Sequence, residues 1–227
     1  MSQFPPSRQD SPAPVILAIV GLCTAPELLF LLTETPPIDR LTGDTDLRRL
    51  VITHGAFWPR LLIDWTPIWP FQPAAMFVTY AFLHGGIMHL LFNMLIALHL
   101  SREAVPRLGQ GGFLLGWLVT AAGGAAGFFL LSGASGPMVG ASGAVFGLFG
   151  MTQFWDLQRR RASGASLRPF WNLAAGLVLM NVALFALVGG MLAWQAHLGG
   201  YLAGFAFAAI VTPTLQHRFR NFPRGFR

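Results

Sequence analysis

Ser142 stands in GPMVGASGAVFGLFG (136–150), among glycines, alanines and apolar side chains. A serine hydroxyl is a weak nucleophile at its ordinary pKa and needs an adjacent base. A neutral imidazole is the usual one, and His197 is available in a second apolar run, AHLGGYLAG. A third run, FLHGGIMHLLFNM, carries His84, His89 and Asn93. His89 and Asn93 are four apart and share a helix face, one turn separated. Attack of a serine on an amide carbonyl creates an oxyanion, and a preorganised donor for it is often worth about 3 to 4 kcal/mol of barrier. The Asn93 amide, the His89 ring and backbone N–H groups around Ser142 are the candidate donors. Gly140 and Gly143 flank the serine and allow a tight turn and close backbone approach. A helix starting there adds unpaired N–H groups and the positive end of its dipole. No carboxylate accompanies the pair: Asp156 lies about 21 Å further along a helix, Glu27 is in the first apolar run, and Asp64 is a remote loop candidate. The expectation is a Ser–His dyad.

The elements that must position these groups are membrane spans. Hydrophobic residues make up 54% of the 227 and charged residues only 11%, less than half the roughly 25% usual in soluble domains. The apolar runs approach the ~20 residues that cross a ~30 Å hydrocarbon core. Spans are expected at about 15–32, 77–100, 111–131, 137–155, 171–189 and 192–212, which uses up the length. Residues 1–13 read as a disordered cytoplasmic tail, 14–213 as the six-span domain, and 214–227 as a basic cytoplasmic tail. The loop 33–73, with Trp58, Trp65 and Trp69, suits the bilayer interface and is expected to hold short amphipathic elements on the membrane.

The chain has 15 Arg and no Lys against 9 acidic residues. No continuous basic helix with interleaved aromatics points to nucleic acid. Arginines instead crowd the segments between spans two and three, four and five, and after six, all on one face. The positive-inside rule then places both termini in the cytoplasm. The single cysteine, Cys23, permits no internal disulfide.

Spans two, four and six run in the same direction, so position within each measures depth. Ser142 and His197 each lie about five residues in, roughly 8 Å. Gly143 and Gly147 on span four, and Gly200 and Gly204 on span six, have the G-x-x-x-G spacing that lets membrane helices approach closely. Phe146, one turn from the serine, is placed to stack on the imidazole. G-x-S-G taken alone reads more simply as packing. Read on one helix, His84 and His89 would lie about 140° apart with no cysteine or carboxylate beside them, which argues against a metal. Asn172 and Asn181 are expected to make interhelical hydrogen bonds, and His99 to face the interface. A proton-path transporter is disfavoured by the lack of inverted repeats or broken helices.

The three motifs, in this order and on alternate helices, resemble the rhomboid intramembrane serine proteases over spans two to six. The resemblance implies an all-α, six-helix rhomboid-like bundle whose active site opens outward through a water-filled depression. Ser142 would be the nucleophile, His197 the general base and then acid, and His89 and Asn93 oxyanion donors, with His84 helping to retain water. It implies no metal or organic cofactor. Substrates would be single-span membrane proteins cut in or near the outer part of their transmembrane segment, in a bacterial inner membrane. Two positions depart from the family pattern. Ala75 and Met76 stand where many bacterial members have a Trp-Arg pair, and Phe146 stands where tyrosine is frequent. The alternative is an inactive rhomboid-like protein that binds membrane clients. Pro137 stands outside the G-x-S-G turn, and both reactive groups remain.

Overall fold

A computed structural model describes residues 12–34, 46–133 and 135–220, with side chains as far as Thr212. Most of the expected N-terminal tail (1–11) and the end of the C-terminal one (221–227) lie outside the described residues. Seven helices are described: α1 (Pro14–Thr33), α2 (Leu47–Gly55), α3 (Gln72–Thr79), α4 (Ile87–Leu131), α5 (Ser142–Ser163), α6 (Arg168–Leu187) and α7 (Trp194–Arg220). Short 3-10 turns occupy Pro59–Leu62 and Tyr80–Phe82. Gly109 (φ 70°, ψ 170°), three residues after Pro106, breaks α4 into two arms.

Among the described residues, α1, α4 and α6 are long and apolar enough to cross a membrane. The two arms of α4 correspond to the second and third expected spans. α5 falls short of that apolar standard, and with α7 it occupies the middle of the bundle. There glycine replaces bulky side chains, and partner helices replace lipid. α5 buries Gly143 to Leu148 and Gly150 to Trp155 without interruption, whereas α6 buries only Phe170 and Leu177.

The glycines decide how the central helices meet. A Cβ on Gly200 would overlap the Gly143 carbonyl, and one on Gly204 the Gly147 carbonyl. α5 and α7 therefore run parallel with their backbones in direct contact, the close approach that small residues permit. On its other side α7 meets α4, where a Cβ on Gly127 would come within 2.8 Å of Gly199 Cα.

Two expected boundaries move. The second span begins at Ile87, not near 77, because Gly86 (φ 136°) turns the chain and 77–82 belong to α3 and the turn after it. The fourth begins at Ser142, not near 137, because Gly140 (φ 128°) keeps the chain out of helix until the turn at Ala141. The depth estimate built on those starts falls with them. A different ruler replaces it: the common offset of the Gly143–Gly200 and Gly147–Gly204 pairs puts Ser142 level with Gly199. That is two residues, ~3 Å of helix rise, from His197.

Arg48 ties α2 to α1 and to the turn after α3. Its guanidinium donates to both Glu27 oxygens at 3.1 and 3.3 Å, to Glu34 Oε1 at 2.6 Å and to the His84 carbonyl at 3.4 Å. Glu27 is 3% exposed, so this one side chain neutralises a buried carboxylate and pins the turn that carries His84. Gln72 performs a similar task where the Trp-Arg pair is absent. Its amide donates to the Thr53 carbonyl at 2.8 Å and accepts from Ile68 N–H at 2.9 Å. Removing one partner of a buried ion pair costs about 3 kcal/mol or more. Arg48→Ala is expected to lower the thermal midpoint in detergent by several degrees, with partial recovery when Glu27→Gln is added. An unchanged midpoint for Arg48→Ala would count against this role.

Candidate active site

Ser142 is the first residue of α5. The strand-like stretch before it is held by main-chain bonds to the loop between α1 and α4. Phe57 and Met138 exchange N–H···O=C bonds of 3.0 and 2.9 Å, and Gly140 N–H donates to the Tyr80 carbonyl at 3.0 Å. Ala141 N–H donates to His84 Nε2 at 3.4 Å. Only glycine suits position 140, since its φ is positive and a Cβ would lie 2.7 Å from His89 Cε1. The N–H groups of Ser142, Gly143 and Ala144 have no acceptor among the described residues, as expected of a helix start. The Ser142 hydroxyl makes no hydrogen bond either, and the residue is half-buried.

His84 and His89 are not on one helix, so the angular separation expected between them does not apply. The Gly85–Gly86 turn brings the rings edge to face at 5.2 Å. Gly85 N–H donates to His89 Nδ1 at 3.4 Å, so the neutral ring carries its proton on Nε2, the edge beside Gly140. His84 Nε2 is an acceptor, and its buried Nδ1 has no partner of hydrogen-bond geometry among the described residues. Asn93 is buried, and Nδ2 donates to the His89 carbonyl one turn back at 2.9 Å. That leaves its second N–H.

His197 is 4% exposed. Its ring lies flat on Phe146, centroids 4.2 Å apart and planes 4° from parallel. Nδ1 meets Asn181 Oδ1 at 2.5 Å, and Nε2 has no partner among the described residues. No hydrogen bond joins Ser142 to His197. They sit on packed helices, Ser142 level with Gly199, and Phe146, stacked on the imidazole, is one turn from the serine. Such bonds are frequently long before substrate binds.

Asn181 makes the interhelical hydrogen bond expected of it, but sequence reasoning did not identify the imidazole as its partner. The only signal was an amide within an apolar span. It also missed Gln153, which donates to the Phe170 carbonyl at 3.0 Å and accepts from the Tyr201 hydroxyl, tying α5, α6 and α7 together away from the serine. Asn172, expected to bond between helices, is exposed with no hydrogen bond among the described residues. His99 is exposed near the far end of the first arm of α4. No cluster of three or more His, Cys, Asp or Glu side chains suited to a metal occurs among the described residues.

The helices and the polar groups enclosed at one end of the bundle define an all-α integral membrane protein. A family model of the Rhomboid domain matches residues 72–214, more than half of the chain, and the chain belongs to the rhomboid family. It is 28% identical over 195 residues to the Rhomboid protease GlpG of Yersinia pestis (strain Pestoides F), a match covering 86% of this chain and 62% of that protein. The same figures hold for Rhomboid protease GlpG of Yersinia pseudotuberculosis serotype O:3 (strain YPIII) and of Yersinia enterocolitica serotype O:8 / biotype 1B (strain NCTC 13174 / 8081). The chain thus spans less than two thirds of the length of these relatives.

Proposed function

We propose that the chain is a serine endopeptidase that cuts membrane proteins in or near their transmembrane segments. The observation that carries this reading is the state of His197. Its ring is clamped between Phe146 and Asn181, and Nε2 is left free on a helix in backbone contact with the one that begins at an unpartnered serine hydroxyl. Ser142 Oγ attacks the scissile carbonyl while its proton passes to His197 Nε2. The carbonyl oxygen becomes an oxyanion that the free N–H groups at the start of α5, His89 Nε2–H and the spare Asn93 N–H are suited to receive. His197 then returns the proton to the leaving amine, and a water repeats the sequence on the acyl-serine. His84 steadies the main chain at Ala141 and keeps a buried polar edge that suits water retention.

The substrates are single-span membrane proteins whose helices unwind locally near the cut. Both termini lie in the cytoplasm and the serine end faces outward, as the arginines direct. A bacterial inner membrane suits that arrangement.

A fluorophosphonate-type serine electrophile separates this reading from client binding without catalysis. Peptide mapping of the labelled protein is expected to place one adduct on Ser142, lost in Ser142→Ala. A folded chain that takes up no label and cuts no reconstituted transmembrane substrate would be a client-binding protein instead.

A further inference from the structure

We propose that Asn181 is a positioning residue that holds the His197 imidazole in its Nδ1–H form, extending the Ser–His dyad to an ordered Ser–His–Asn chain. The inference deepens the protease reading and rests on it.

The assignment of protons follows from the amide itself. Asn181 Nδ2 donates to the Leu177 carbonyl at 2.8 Å, one turn back on α6. One N–H of its NH₂ group is thereby used on its own helix, and Oδ1 is the atom turned toward His197, 2.5 Å from Nδ1. A carbonyl oxygen only accepts, so Nδ1 must carry the proton. In a neutral imidazole the other nitrogen then holds the lone pair. The base is thus pre-set with its acceptor on Nε2, the only form that can take a proton from Ser142.

The surroundings make the bond matter. Leu177, Phe185, Trp194 and Leu198 line a cavity of about 480 Å³ between α6 and α7, into which Asn181 and His197 face. An amide or imidazole N–H left unpaired in such apolar surroundings is costly, so each group holds the other in place. α6 is otherwise thinly attached. Its described polar ties to other helices are this bond and the Gln153–Phe170 bond near its opposite end. Seating of α6 therefore adds the bond that fixes the tautomer to the stacking that Phe146 already supplies.

The test uses the full chain in detergent or bilayers, with ¹⁵N-labelled histidine and a transmembrane substrate. In Ser142→Ala, His197 is expected to give the signature of an Nδ1–H tautomer. Adding Asn181→Leu, of similar volume without an acceptor, is expected to shift it to a mixture. In the otherwise wild-type chain, Asn181→Leu is expected to lower kcat by about 10- to 100-fold with little change in KM, as loss of a group orienting a histidine does. Asn181→Asp, which keeps an acceptor, is expected to restore most of the rate. An unchanged His197 tautomer, or kcat within twofold of wild type in Asn181→Leu, would overturn the proposal. The tautomer reading needs no catalysis, so a chain that cleaves nothing would defeat the protease reading while the role of Asn181 was still decided.

Discussion

Ser142→Ala is expected to lower kcat for a reconstituted transmembrane substrate by about 10⁴-fold or more, the order seen when a serine nucleophile is removed from a hydrolase. Its thermal midpoint is expected to stay within a degree or two of wild type. Both halves follow from the structure. The hydroxyl makes no hydrogen bond among the described residues, and Ser142 is half-buried at the first position of α5. Removing one oxygen there leaves no buried partner unpaired, so the stability change should stay within about 0.5 kcal/mol. If the serine were only a small residue allowing helix contact, alanine would serve as well and cleavage would persist. His197→Ala is the weaker test, because it also removes the ring stacked on Phe146 and leaves Asn181 Oδ1 without its donor. Cleavage by Ser142→Ala within tenfold of wild type would end the nucleophile assignment.

Gly200→Ala is expected to be among the most damaging single-methyl changes in the chain. The new Cβ would overlap the Gly143 carbonyl, which is main chain and cannot rotate aside. α5 and α7 would have to separate, and α7 is backed by α4 through Gly123 and Gly127, so it has little room to retreat. Overpacking a close-fitted interior costs about 1 to 3 kcal/mol, and contact with rigid backbone argues for the upper end. The same shift moves His197 relative to Ser142, and a misplacement of about 1 Å can cost 10²-fold in rate. A lower thermal midpoint and a comparable loss of cleavage are the expected readouts. Gly176→Ala, on the exposed side of α6 with nothing within 4 Å of the new Cβ, is the matched control and should be neutral or slightly stabilising. Equal behaviour of the two variants would mean that the α5–α7 seam is looser than described.

Much of this was legible in the residues. The length and apolarity of α1, α6 and both arms of α4 follow from partition into hydrocarbon, which is a property of each segment taken alone. Ser142, His197 and the His84–His89–Asn93 group stood out because ionisable and amide groups are costly in such segments. The G-x-x-x-G pairs marked α5 and α7 as helices meant to touch.

Other features were decided only by tertiary contact. The apolar run continues through Met76 to Phe82, so hydropathy carries the second span across a stretch that the structure ends at the Gly86 turn. What makes the break tolerable is distant in sequence: Tyr80 and Phe57 give their carbonyls to Gly140 and Met138, and Arg48 holds the His84 carbonyl. Those bonds also keep the chain out of helix as far as Gly140, which moved the serine from within a helix to its first residue. The Asn181–His197 bond joins side chains sixteen residues apart on helices with few contacts between them. Periodicity relates residues three or four apart on one helix, and hydropathy reports only whether a segment prefers lipid. Neither contains the distance between two helices. That distance is set by which backbones glycine allows to touch, and it determines which polar groups meet.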